Sequence, residues 1–176
     1  MKKNKLVVGS AFAFMTIFSL FLGWILANNM SKDTSKLRTT LTKEYKELKD
    51  IKYEYNSEIG KKVFISRCSS CHGINGQGSM AVPPLANNDI ILNNTNRTIK
   101  VVINGLQGSI ERLGKRYNSI MPGYYKLPHS DLAHALNYVR NSWGNKADEI
   151  TTIDIINSKV QTIDKKGAWR AEDFNN

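Results

Sequence analysis

Cysteine and histidine are scarce in this chain of 176 residues, which contains two cysteines and three histidines. Cys68 and Cys71 could form one disulfide, one redox dithiol or half of a zinc site. A zinc site needs two further soft ligands, for which His129 and His134 are the candidates. His129 lies beside Pro128 and His134 lies in a predicted helix, both far along the chain. This separation disfavours a zinc site.

Recognisable motifs for several other chemistries are also missing. The chain offers no convincing nucleophile, metal cluster or phosphate loop, and no nucleic-acid motif accompanies its net charge of +10. A basic surface without such a motif suits an acidic partner protein, whose association would slow as salt rises. The composition therefore disfavours both an enzyme with its own catalytic residues and a nucleic-acid-binding protein.

The N-terminus carries the longest apolar run of the chain. Leu6 to Ala27 form about 22 residues without a charge, and three lysines precede them. Such a run is long enough to cross a hydrocarbon core as a helix. A cleaved signal peptide is the alternative, but the run is long for one and its exit lacks a clean pair of small residues. We therefore expect residues 1–27 to be an uncleaved transmembrane signal-anchor.

Residues 28–57 contain no glycine or proline. Within them Leu37, Leu41, Tyr45 and Leu48 recur at intervals of three or four among mixed charges, which predicts an amphipathic helix. The apolar stripe covers only about three heptads, so we favour a charged helical linker over a coiled coil or a surface for complex assembly. If fully helical, this linker would hold the next domain up to about 45 Å from the bilayer.

Cys68-Ser69-Ser70-Cys71-His72 is the most informative run, because C-x-x-C-H is the pattern of a c-type haem attachment site. Two thiols at this spacing reach two vinyl groups on one porphyrin edge and form thioethers. His72 then falls under the ring, where its imidazole becomes the proximal iron ligand. Covalent haem attachment is expected outside the cytoplasm. We therefore place the haem domain on the periplasmic or outer side of the cytoplasmic membrane, behind a single span.

Residues 58–144 have the pattern of one compact all-α domain. The spacing of Leu132, Leu136 and Val139 predicts a helix with one apolar face, and residues 99–104 form a short apolar helix or strand. Glycine-rich loops connect the predicted helices. A domain of fewer than 90 residues has a thin core, so a covalently held haem would supply much of the missing apolar packing.

Several motifs follow one another in this region: Gly60-Lys61-Lys62-Val63-Phe64, the Cys68-to-His72 run, Gly76-Gln77-Gly78, Pro83-Pro84-Leu85, Met121-Pro122-Gly123 and Tyr138 to Gly144. Over residues 58–144 the chain thereby resembles the class I cytochrome c family. The block Asn104 to Gly108, followed by Tyr117-Asn118, Met121-Pro122 and the Asn-Ser-Trp ending, looks like small bacterial modules that serve alcohol dehydrogenases, copper nitrite reductases and haem-copper oxidases. The resemblance implies the class I fold, three to four helices around a covalent haem, here preceded by the transmembrane helix and linker.

The resemblance also implies the second iron ligand, which is Met121. A thioether is a soft, neutral donor that prefers reduced iron, so His/Met ligation raises the reduction potential relative to two histidines. Met80, the competing methionine, is expected to pack in the loop at the ring edge. His129 and His134 are alternative distal ligands, because an imidazole can also bind haem iron.

Residues around the ligands are implied in the same way. The carbonyl of Pro84 or Pro83 is expected to accept the Nδ1 hydrogen of His72, which fixes the tautomer of the imidazole. Tyr117 and Trp143 are expected to approach the haem propionates, with ordinary aromatic core packing as the alternative for each.

Two segments fit the resemblance less well. Residues 111–113, Glu-Arg-Leu, stand where the family is usually more neutral. Residues 145–176 mix isoleucines with charges and have no clear haem role. We expect a C-terminal tail that either packs on the domain or a partner, or is disordered.

Together these expectations describe a membrane-anchored cytochrome with one haem c. It would pass single electrons between respiratory or dehydrogenase partners and would not itself be an enzyme. Retention of both axial ligands is what separates such a carrier from a haem enzyme or gas sensor, the less favoured alternative. The other alternative is an obligate electron-entry subunit of a larger oxidoreductase.

Overall fold

The computed structural model describes residues 5–112 and 114–174, with side chains for 18–112 and 114–174. It divides into two compact units, Met1–Thr40 and Leu41–Asn176. The first unit is the larger part of helix α1, Lys5–Leu48. Within the described part of the chain, no helix is both long and apolar enough to cross a membrane. The predicted span, residues 6–27, extends into residues 6–17, whose side chains lie outside the described set.

The predicted helical linker ends earlier than expected. Helix α1 stops at Leu48, and residues 51–56 are not helical. Two side chains explain the change of conformation. Tyr53 places its hydroxyl 2.9 Å from Nδ1 of His134. Asn56 has extended backbone angles, φ −117° and ψ 111°, because its side chain accepts hydrogen bonds from the first turn of the next helix.

Two crossing helices form the centre of the second unit. Helix α2, Ser57–Arg67, packs against helix α6, His129–Arg140, at Gly60. A Cβ atom at Gly60 would lie 2.4 Å from the carbonyl oxygen of His134, so only glycine allows this approach. One turn later Phe64 is fully buried, with its ring centroid 5.5 Å from that of Tyr138.

Along the chain, three shorter helices of the described residues follow α2 and precede α6: α3, Ser69–His72, α4, Asp89–Asn93, and α5, Thr95–Asn104. Helix α5 contributes the buried Ile99 and Ile103, which pack with Leu132 and Leu136 of α6. Gly105 ends it with a positive φ of 86°, a value that favours glycine.

The described residues of the unit also form four strands of two or three residues: β1, Leu106–Gln107, β2, Ile110–Arg112, β3, Lys115–Tyr117, and β4, Trp169–Arg170. Strands β2 and β3 form an antiparallel hairpin, and β1 pairs in parallel with β4. The all-α expectation holds for the helices but omits these strands, which are too short to show an alternating pattern in sequence.

The segment after residue 144 is part of the same unit. Helix α7, Thr152–Gln161, starts with a capping box formed by Thr151 and Asp154. Ile150, Ile155 and Ile156 have no exposed surface. The last element among the described residues is a short 3₁₀ helix, Ala171–Phe174. The hydrophobic core therefore extends beyond the predicted domain 58–144 and includes residues from the segments before and after it.

Candidate functional site

The turn between α2 and α3 arranges the two cysteines and His72. The backbone N–H groups of Cys71 and His72 both donate to the carbonyl of Cys68, at 3.2 and 3.0 Å. Burial, followed by the proximity of Cys71, raises the pKa of the Cys68 thiol to about 11. A redox dithiol uses a cysteine with a lowered pKa, so this environment is unlike that of a redox-active pair.

His72 is held in one tautomer. Its Nδ1 lies 3.2 Å from the carbonyl oxygen of Pro83, which can only accept, so Nδ1 carries the hydrogen. Burial lowers the pKa of His72, although the hydrogen bond to Pro83 opposes this effect. The imidazole is therefore neutral at pH 7, with its lone pair on Nε2. Of the two carbonyls considered, that of Pro84 instead accepts from Asn88 Nδ2, at 2.9 Å.

An apolar cavity of about 440 Å³ lies beside His72. Cys68, His72 and Met121 are in its wall, and most other wall residues are aliphatic, among them Val63, Leu85, Ile91, Val101, Leu136 and Val139. A neighbouring cavity of about 80 Å³ shares Cys68, His72 and Met121 and adds Cys71. Thiols, imidazole and thioether thus surround one apolar space.

The backbone of Met121 is held by β1. Leu106 and Met121 exchange two hydrogen bonds, N–H of Leu106 to O of Met121 at 3.0 Å and the reverse at 2.8 Å. The close approach depends on Gly105, where a Cβ would lie 2.5 Å from the Met121 oxygen. Met80 is 87% exposed and is absent from the walls of both cavities. Of the two candidate methionines, the structure brings only Met121 to the cavity.

A guanidinium group, that of Arg112, is in the wall of the larger cavity. Arg112 pairs with Asp89 at 2.5 Å and donates to the Asn87 carbonyl at 3.1 Å. Its Nε is buried and has no hydrogen-bond partner in the described part of the chain. Arg97 lines the same cavity. An unpartnered donor beside an apolar space suits a flat apolar group that carries carboxylates, which is the chemistry of haem and its propionates. Both arginines were missed as site residues, and the only sequence signal was the unusual charge at residues 111–112.

The two aromatic candidates have different environments. Tyr117 is buried and lines the smaller cavity. Trp143 is absent from both cavity walls and packs against Phe64 and Tyr138, with centroid distances of 5.1 and 5.6 Å. Trp143 adopts φ 54°, and a Cβ at Gly76 would lie 2.5 Å from its ring. Its position fits aromatic core packing, the alternative considered for it.

The other histidines lie in separate surroundings. His134 Nδ1 accepts from Asn56 N–H at 3.2 Å and contacts the Tyr53 hydroxyl. His129 Nδ1 is 2.7 Å from Glu44 Oε1. Neither is in the wall of the two cavities that contain Cys68. Among the described residues, no group of three or more His, Cys, Asp or Glu side chains could hold a metal ion.

Comparisons with known proteins agree with this site. A family model described as cytochrome c matches residues 57–143. Cytochrome c-552 of Thermus thermophilus is 37% identical over 91 residues, which cover 49% of this chain and 69% of that protein. The cytochrome c subunit of a quinone alcohol dehydrogenase from Gluconacetobacter polyoxogenes is 32% identical over 101 residues, or 54% of this chain and 21% of that subunit.

The match therefore covers most of a Thermus cytochrome and a fifth of the dehydrogenase subunit. It includes the Cys68-to-His72 run and Met121. The resemblance seen in the sequence is confirmed: the chain belongs to the cytochrome c family, whose members bind a covalently attached c-type haem with iron.

Proposed function

We propose that this protein is a single-electron carrier in which His72 and Met121 are the axial ligands of the haem iron. The observation that carries the proposal is that both residues share the wall of one apolar cavity with Cys68. When bound, the haem supplies an iron that changes its oxidation state by one electron. The chain's own residues hold the group, orient the ligands and exclude water.

Each side chain has a defined part in this proposal. Cys68 and Cys71 hold the haem covalently. His72 presents the Nε2 lone pair because Pro83 accepts the hydrogen on Nδ1. Met121 would supply a neutral thioether to the iron, a donor that favours the reduced state. Tyr117 and Arg112 line the cavities where they can contact the polar edge of the haem.

We also propose that residues 1–27 tether the protein to the cytoplasmic membrane, with the haem domain 58–144 on its periplasmic or outer side. The uncharged run from Leu6 to Ala27 supports this arrangement. The net charge of +10 supports a redox partner with an acidic docking surface, either respiratory or a dehydrogenase. Carbonate extraction of membranes that contain the full chain tests the tether, and release into the supernatant would contradict it.

A second candidate is an electron-entry subunit of a larger oxidoreductase. The similarity to the cytochrome c subunit of a quinone alcohol dehydrogenase favours it, although the match covers only 21% of that subunit. The two candidates differ in stoichiometry. A subunit would co-purify with one partner in fixed ratio, whereas a mobile tethered carrier would exchange between partners.

The ligand proposal is tested on the detergent-solubilised full chain. A pyridine haemochrome identifies c-type haem, and the weak near-infrared band of the oxidised protein reports methionine bound to iron(III). We expect Met121→Ala to abolish the band. Met80→Ala is the matched control and should retain it, since Met80 is 87% exposed. A band that survives in Met121→Ala and disappears in Met80→Ala would refute the proposal.

A further inference from the structure

Strand β4 is linked to Met121 through β1. Strand β4 pairs in parallel with β1, and Trp169 N–H donates to the carbonyl of Gly105 at 3.0 Å. On its other edge, β1 exchanges the two Leu106 hydrogen bonds with Met121. Because alternate residues of a strand direct their backbone groups to opposite edges, β1 lies between β4 and Met121.

The Trp169 side chain fixes β4 to the end of helix α5. Its Nε1 donates to the Lys100 carbonyl at 3.1 Å and lies 3.3 Å from Asn104 Oδ1. The Lys165 ammonium is 4.7 Å from the ring centroid. The segment is therefore attached both to β1 and to the helix that precedes β1.

The same segment reaches the haem cavity. Ala171 is in the cavity wall. The Phe174 ring lies 4.7 Å from the Arg97 guanidinium carbon and 5.1 Å from the Trp169 ring. We name residues 167–174 the C-terminal strap. The strap contributes Ala171 to the cavity wall, contacts Arg97 of the same wall and pairs with β1. The strap lies outside residues 57–143, the part that matches the family.

We infer that the C-terminal strap is a positioning element for Met121. By completing the hydrogen bonding of β1, it holds the Met121 backbone at the cavity and disfavours replacement of the thioether by another ligand. This inference rests on the proposed role of Met121 as distal ligand. It assigns a function in haem ligation to a segment outside the C-x-x-C-H run and outside residues 57–143.

The test measures ligand exchange in the oxidised full-length holoprotein. Imidazole competes for the sixth position of the iron, and its apparent Kd is obtained from loss of the near-infrared band. Trp169→Pro removes the N–H donor to Gly105, whereas Trp169→Ala loses the same ring but keeps that donor. We expect imidazole to bind about fivefold more tightly to Trp169→Pro than to Trp169→Ala, the effect of one backbone hydrogen bond.

Two further variants keep the test decisive. Trp169→Phe retains one aromatic ring and the backbone N–H donor but loses Nε1–H, and it should bind imidazole more weakly than Trp169→Pro does. Thr151→Ala removes the cap of α7, destabilises the C-terminal region and leaves the β1–β4 pairing intact. We expect its imidazole affinity and reduction potential to equal those of the wild type.

The outcomes separate the inference from the proposed function. If Trp169→Pro binds imidazole no more tightly than Trp169→Ala, the strap does not position Met121 and the inference is overturned. The band and its loss in Met121→Ala would still stand in that case. If Met121→Ala keeps the band, Met121 is not the ligand, and both the proposed ligation and the inference are refuted.

Discussion

Replacement of Gly60 by alanine tests the helix crossing that supports the haem attachment site. The new Cβ would lie 2.4 Å from the His134 carbonyl oxygen, 3.0 Å from its carbonyl carbon and 2.9 Å from Tyr138 Cβ. These atoms belong to the α6 backbone or to the first atom of a side chain. No rotamer change can relieve the overlap, so α2 and α6 must separate.

The size of the effect follows from two opposing contributions. Overpacking of a well-filled core costs about 1–3 kcal/mol, and the upper end applies because the obstacle is backbone. Alanine regains about 1 kcal/mol of helix propensity relative to glycine. We therefore expect a net loss of about 2 kcal/mol in the free energy of unfolding. For a unit of this size, the Tm should fall by roughly 6–10 °C.

The assay is thermal and denaturant unfolding of the holoprotein, followed by far-ultraviolet circular dichroism. Lys61→Ala is the matched control, because Lys61 is the exposed neighbour of Gly60 in the same helix. It should change the Tm by little. A Gly60→Ala protein as stable as Lys61→Ala would refute the argument, since the helix crossing would then tolerate a side chain.

The remaining predictions concern His134 and Arg112. Burial lowers the pKa of His134 below its ordinary value of 6.5, and the charges of Asp131 and Glu149 oppose this shift. The contribution of neutral His134 to the free energy of unfolding should therefore be fully present above pH 6.5 and should be lost as the pH falls towards the folded-state pKa. Protonation would place a charge in this buried position, and a protonated Nδ1 could also no longer accept from Asn56. Denaturant titrations should show a weaker decline in His134→Gln, and an equal decline would contradict this. Arg112→Gln removes a positive charge from the cavity wall, so the reduction potential measured by spectroelectrochemistry should fall. A potential equal to that of the wild type would show that Arg112 does not act on the haem.

Sequence reasoning succeeded where the chemistry is local. The C-x-x-C-H spacing places two thiols and an imidazole within one turn, and the backbone bonds to Cys68 agree with that geometry. The family and its covalent haem, both expected from the motifs, are confirmed by the comparisons. The sequence also predicted the apolar helix face that contains Leu132 and Leu136, because apolar residues recur there with the helical period of 3.6.

The parts that were missed depend on contacts between distant residues. The linker was expected to be helical throughout residues 28–57, but tertiary contacts of Tyr53 and the capping role of Asn56 end the helix at Leu48. For Trp143 the sequence left haem contact and aromatic core packing open, and the contact with Phe64 appears only in the tertiary structure. Two-residue strands such as β1 and β4 have no sequence period that could reveal them.

The sequence by itself determined the covalent chemistry of this protein, because thioether attachment and the proximal ligand need only five consecutive residues. It also restricted the distal ligand to a few candidates by composition. Only the tertiary structure brought Met121 rather than Met80 to the cavity and added Arg112 to its wall. Only the fold joined the C-terminal strap to the Met121 loop, because a hydrogen bond between Trp169 and Gly105 depends on how the chain closes on itself.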